Sequence, residues 1–327
     1  MFGQRNADSS RHGADTTACE HEEGVRGHVL RLILYFDLFQ HPLRLSELVR
    51  LITPGDERPV LAAVEGLRQE GLVAGAPPWV HRPGQEGLVV RRAERERAAE
   101  RLWPSARRAA ALLSRLPYVR GLLVTGSLSK NSVDPDGDVD FMVLVEPGRV
   151  WTLKTLLQAG RRVLPDPARE LFCTNYLLDT AHSRIDDRNL YTAIELATAV
   201  PIYGRDAVVA LMRENAWAAR FVPGWSWVEE RARHTAPAPA HWPRLEWAVP
   251  SVAQAPVERA SLRAWDAFWE RKYAYLHADD RKQRFKRRPE LATNMLHDFQ
   301  FKVLHEMGER LAAVGLHAPL WMPGEGP

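Results

Sequence analysis

Hydrophobic spacing divides the chain into blocks of different period. Residues 29–39 (VLRLILYFDLF) are strongly apolar and predict a helix that stops before Pro42. Ser46 is a suitable N-cap for a short second helix through Leu51. Residues 59–71 (PVLAAVEGLRQEG) put Pro near the start and Gly past the end of a third. LVAG, APP, WVHRPGQEG and LVVRR then read as a two-stranded ribbon. Three helices and a ribbon predict a winged-helix-like module over 26–93. That fold often binds DNA through its third helix, but Glu57, Arg58, Glu65, Arg68 and Glu70 give this one mixed charge.

Residues 93–116 predict a basic, alanine-rich helical region, broken or kinked at Pro104. Beyond it lie three short apolar runs, 119–125 (VRGLLVT), 139–146 (VDFMVLVE) and 171–178 (LFCTNYLL). An amphipathic stretch over 150–164 separates the second from the third. Strand, loop, strand, helix, strand is a small mixed sheet with helices. From Asn189 onward helices are expected over 190–199 and 206–219, around a turn VPIYG. An Ala/Pro-rich linker follows over 234–257, then helices over 258–278 and 289–314. The expected class is therefore α+β, with a mixed-sheet core over 94–204. A C-terminal helical bundle occupies 205–327, and residues 1–25 form a polar, disordered tail.

Composition adds constraints. Of 327 residues, 45% are hydrophobic and 26% charged, enough apolar material for a sizeable core. A net charge of +3 sets up no global field toward a polyanion, so a nucleic-acid partner is not indicated by charge. Cys19 and Cys173 are the only cysteines. Their separation fits neither a disulfide framework nor a zinc site. The N-terminus lacks an apolar signal region, and no stretch approaches 18 apolar residues. The expectation is a cytoplasmic protein without a membrane partner.

The chemistry concentrates in residues 121–146, GLLVTGSLSKNSVDPDGDVDFMVLVE. Gly126 permits close backbone approach to a ligand. Ser127 offers a hydroxyl and an amide, and Ser129, Lys130 and Asn131 are further donors. After a ten-residue spacer come Asp138 and Asp140, two apart on an expected strand. Side chains alternate, so both carboxylates point one way, roughly 6–7 Å apart. Such a pair suits Mg²⁺, which prefers hard oxygen ligands and substrate phosphates. Val139, Phe141, Val143 and Val145 form the opposite, core-facing side. Asp134 and Asp136 belong to the VDPDGD turn.

Gly126-Ser127, the spacer and Asp138-Val139-Asp140-Phe141, set between two apolar strands, resemble the DNA polymerase β-like nucleotidyltransferase superfamily. Kanamycin nucleotidyltransferase and poly(A) polymerases belong to that group. The resemblance covers residues 105–200, about a third of the chain. It implies a nucleotidyltransferase core with Gly126, Ser127, Ser129 and Lys130 binding the nucleotide and Asp138 and Asp140 holding one or two Mg²⁺. The family takes a third carboxylate from a later strand. On CTNYLLD, Asn175 occupies the central place with an amide, and Asp179 has the charge but lies near the strand end. Some relatives use a glutamate on the next helix as general base, and Glu195 is the candidate here.

The expected activity is transfer of a nucleoside monophosphate from an NTP to an unidentified acceptor hydroxyl on a small molecule, protein or nucleic acid. Pyrophosphate leaves. The alternative is a DNA-binding regulator or nucleotide sensor with a degenerate nucleotidyltransferase domain. Arg281 to Arg288 (RKQRFKRR) adds a basic cluster whose Phe285 offers a stacking face. Trp217, Trp225, Trp227, Trp242 and Trp247 are expected to pin the linker, and His297 and His305 to be packing or surface residues.

Overall fold

The computed structural model describes residues 24–135, 137–163, 173–237, 250–277, 285–293 and 299–324. The expected tail lies almost wholly outside them, as do residues 238–249 of the linker. The N-terminal part comprises α1 (Val25–Asp37), β1 (Leu43–Arg44), α2 (Leu45–Ile52), α3 (Arg58–Gln69) and β2 (Trp79–Val80). β1 and β2 pair antiparallel, with Leu43 opposite Val80. Among the described residues, a single bridge, Ala74 to His81, extends the β2 side.

LVVRR is not a strand. It opens α4 (Gly87–Leu113), a 27-residue helix. Its β-branched pair offers nothing to a core, since Val90 is 67% exposed, whereas Arg92 is buried and needs helical spacing to reach its partners. Pro104 does not break this helix. It and Glu100 lie on the exposed side, where a carbonyl left without its partner meets water.

The central sheet has six strands in the order β6-β3-β4-β5-β8-β7: β3 (Val119–Thr125), β4 (Asp140–Val145), β5 (Cys173–Asp179), β6 (Val200–Tyr203), β7 (Arg287–Arg288) and β8 (Leu291–Thr293). β3 runs antiparallel to β4 and β6, β4 parallel to β5, and β8 antiparallel to β5. The helices between and after them are α5 (Gly126–Ser129), α6 (Val150–Val163), α7 (Leu190–Thr198), α8 (Arg205–Glu214), α9 (Trp225–Arg233), α10 (Ser251–Lys272) and α11 (Phe299–Ala313).

The α+β class holds, but three segments differ from expectation. VPIYG is not a turn; it is edge strand β6, whose outer side carries only an isolated bridge, Tyr203 to Ala236, among the described residues, so Pro201 is tolerated there. Residues 251–257, expected in the linker, are helical and start α10. Residues 287–293 supply two strands to the central sheet, so 205–327 is not a separate helical bundle. The basic cluster changes meaning with them. Phe285 is buried and stacks on Tyr273 at 4.4 Å between ring centres. Lys286, Arg287 and Arg288 pair with Asp187, Glu270 and Asp186.

Both faces of the sheet are covered. One apolar cluster joins Phe141, Val143 and Val145 to Trp151 of α6, Ala106 and Ala109 of α4, and Trp269 of α10. The other joins Met142 and Leu144 to α1–α3, α7–α9 and α11 without a break. The boundary expected near residue 93 therefore separates no cores. Double burial is why these strands read as apolar runs.

Glu258 of α10 fastens the first of these layers. Its carboxylate accepts from the Trp151 amide (2.7 Å), the Thr152 amide (2.8 Å) and the Thr152 hydroxyl (2.6 Å), at the start of α6. First-turn amides have no partner within their own helix, and the carboxylate also meets the positive end of the dipole. Glu258→Ala is expected to cost about 2 kcal/mol. Urea unfolding reads this directly; an unchanged midpoint would show the clamp to be idle.

Candidate functional site

Pairing places the motif residues. Thr125, last in β3, stands opposite Asp140, first in β4. Gly126 follows at φ +66°, where glycine is favoured, and turns the chain into α5 directly against the Asp140 carboxylate. A Cβ at Gly126 would lie inside van der Waals contact of Asp140 Oδ2. The Gly-Ser turn and the acidic pair are thus one construction.

Asp138 is exposed and precedes β4 in an extended lead-in, not within the strand as expected; Val139 is buried between the two acids. Asp140 is half-buried. Its carboxyl is pushed up to about 6 by burial first, then by the charges of Asp138 and Glu195. Asn175 donates to Asp140 Oδ1, which works in the other direction, as does the Lys130 charge. Asn175 shares a face with Cys173, the partner of Asp140, and lies at a break in register: Phe141 faces Thr174, and Met142 faces Tyr176. Cys173, opposite Asp140, is a free thiol pushed up to about 11 by burial, then by the charge of Asp138, to which it hydrogen-bonds.

Glu195 of α7 is brought to the same place. Lys130 Nζ lies 2.9 Å from Glu195 Oε1 and also donates to the Gly126 carbonyl at 3.1 Å. The Ser129 hydroxyl donates to that carbonyl at 2.8 Å, so it is engaged in the turn, whereas Ser127 is exposed. Two tyrosines missed in the sequence complete the floor. Tyr191 lies one turn before Glu195, and its phenol is raised by burial, then by the charges of Glu195 and Asp140. Tyr35 of α1 is fully buried. Its hydroxyl has no hydrogen-bond partner among the described residues, and burial followed by the Glu195 charge raises it. The helical period could have flagged Tyr191. Nothing local flags Tyr35, which arrives from 160 residues away.

Asp179 is not part of this site. It stands opposite Val145, at the other end of β4, about 16 Å from Asp140 along the strands. Its oxygens accept from the amides of Gly148 (2.9 Å) and Ala181 (2.6 Å). Those bonds hold the turn before α6 and the turn after β5, a structural task. Among the described residues, no group of three or more His, Cys, Asp or Glu side chains is arranged to hold a metal ion. Asp138 and Asp140 are the acidic pair, with an amide where a third carboxylate was sought.

No family model matches this chain, and neither a curated protein nor a solved structure does. No helix among the described residues is long and apolar enough to cross a membrane.

Proposed function

We propose that the protein is a metal-dependent nucleotidyltransferase of the DNA polymerase β-like kind, moving a nucleoside monophosphate from an NTP to an acceptor hydroxyl. The observation that carries this reading is the joint of Gly126 against Asp140: a glycine turn that only a bare Cα can make, closed on an acidic pair whose negative charge lacks full compensation. The sheet order agrees, with antiparallel β3 and β4 followed by a helical crossover to parallel β5.

The donor set fits Mg²⁺. Asp138 and Asp140 offer hard oxygens, and the Asp140 carboxyl, raised by burial first and then by the charges of Asp138 and Glu195, is one that a bound cation would stabilise in its charged form. When bound, Mg²⁺ supplies positive charge to the phosphate oxygens at the reacting phosphorus. The protein's own residues do the rest. Gly126 admits the phosphates close to the backbone, and the exposed Ser127 hydroxyl donates to them. Lys130, 3.0 Å from Glu195 Oε2, leaves that carboxylate to meet the triphosphate. Glu195 is then free to accept the acceptor's proton. The acceptor oxygen bonds to the α-phosphorus as the bond to pyrophosphate breaks. The three-helix part with its two-stranded sheet, read as winged-helix-like, supplies Tyr35 to the site floor.

The test is incubation with Mg²⁺, each α-labelled NTP and candidate acceptor hydroxyls, following label transfer and pyrophosphate release. Transfer that Asp138→Asn removes is the expected result. No transfer with any NTP and acceptor defeats the reading. One observation favours a second reading, a nucleotide sensor: Asn175 stands beside Asp140 where the family has its third carboxylate. NTP binding without turnover would favour it. Salt-dependent binding to duplex DNA that survives Asp140→Asn would make it a DNA-binding regulator.

A further inference from the structure

The spacer between the Gly-Ser turn and the acidic pair is held from outside. Arg92 of α4 is 2% exposed, and its guanidinium spends five donors on five acceptors. Nε donates to Glu96 at 3.2 Å. One terminal nitrogen donates to His41 Nε2 and to the Pro42 carbonyl at 3.4 Å. The other donates to Glu47 at 2.9 Å and to the Lys130 carbonyl at 3.3 Å. His41, Pro42 and Glu47 belong to the N-terminal three-helix part; Lys130 belongs to the nucleotide turn. One turn on, Arg95 repeats the pattern. It pairs with Asp134 at 2.8 and 3.1 Å and donates to the carbonyls of Phe39 (3.4 Å) and Gln40 (3.3 Å). The Val133 amide bonds the Arg95 carbonyl, and the Trp103 indole holds Asn131 Oδ1 at 2.8 Å. Arg91 adds Gln40.

Three arginines of one helix thus join residues 39–47 to residues 130–134. A guanidinium suits this task because its planar fork fixes direction, which an ammonium does not. Removing Arg92 would take the guanidinium from the buried His41 and from the part-buried Glu47 and Glu96, which would keep only their bonds from Arg44.

We propose that Arg92 and Arg95 are positioning residues through which the N-terminal part sets the geometry of the nucleotide turn, by way of the Lys130 carbonyl and Asp134. This rests on reading residues 126–140 as a nucleotide site. The consequence is that anything shifting the 39–47 corner shifts Lys130, the residue that holds Glu195.

The test uses the full chain and two near-isosteric variants, Arg95→Gln and Glu47→Gln, beside Arg92→Lys. Amide exchange across residues 127–135 is measured together with affinity for Mg²⁺ plus ATP, GTP, CTP or UTP and with thermal midpoint. Expected are at least ten-fold faster exchange in 127–135, unchanged exchange in 141–145, and at least ten-fold weaker nucleotide binding. Arg95→Gln should do this at an unchanged midpoint, and Arg92→Lys should fail to rescue despite its charge. Wild-type exchange rates across 127–135 in both Arg95→Gln and Glu47→Gln overturn the proposal. If the wild type binds none of the four nucleotides, the nucleotide reading falls while the exchange result still decides the coupling.

Discussion

Asp140→Asn is expected to lower nucleotidyl transfer at least about 10²–10³-fold while leaving the protein folded and, without metal, more stable at neutral pH. The loss follows from removing one of two charged oxygens from the cation's place. The gain in stability follows from the cost of ionising the half-buried Asp140. Its carboxyl is pushed up from the usual 3.8 to about 6, by burial first and then by Asp138 and Glu195. A raised acid holds its proton more tightly in the folded state. The stability this confers is complete below about pH 3.8 and lost as pH rises through about 6. For a shift of this size the loss is on the order of 2–3 kcal/mol. The asparagine variant has no such term. Urea unfolding of both proteins at pH 4 and pH 7.5, with chelator, should show the wild type losing more stability on the rise. Added Mg²⁺ should restore it in the wild type alone. Parallel pH profiles for the two proteins would refute a raised Asp140 carboxyl.

Gly126→Ala should be nearly as damaging for a different reason. A Cβ at φ +66° carries the left-handed penalty of about 1–2 kcal/mol. It also displaces the Asp140 carboxylate, with which it would collide. Misplacing a reacting-site group by about 1 Å can cost about 10²-fold, and transfer should fall by that much. Gly148→Ala separates the two effects. Gly148 has φ +67°, and a Cβ there would meet nothing within 4 Å. It should lose stability and keep transfer. Equal activity loss in both variants would mean that backbone strain, not collision with Asp140, is responsible.

The parts of the fold visible in the chain were those where side-chain pattern and burial coincide. Residues 119–125 and 141–145 are buried on both faces, so their apolar runs announced strands, and the Gly-Ser and Asp-Val-Asp residues fell at their ends. β6 and β8 were hidden because neither has a pattern of its own. Val200–Tyr203 contains Pro201, and Leu291–Thr293 is three residues between basic and polar neighbours. They are strands only because β3 and β5 offer edges to pair with. Asp179 was misread as a metal ligand because alternation was counted straight through CTNYLLD. Strand length carries Asp179 away from Asp140, to pair with Val145 at the far end of β4. Arg92 was one arginine among many on α4. Its burial depends on His41 and Glu47, about 50 residues earlier, a relation no local window contains.

The late strand β8 also bears on how the protein is made. Leu291 pairs with Leu178, so β5 leaves the ribosome 113 residues before its partner exists. During that interval β5 is an open apolar edge beside the future site, the kind of edge on which nascent chains stick to one another. A chain stopped before residue 291 would carry the Gly-Ser and Asp-Val-Asp residues on an unfinished sheet.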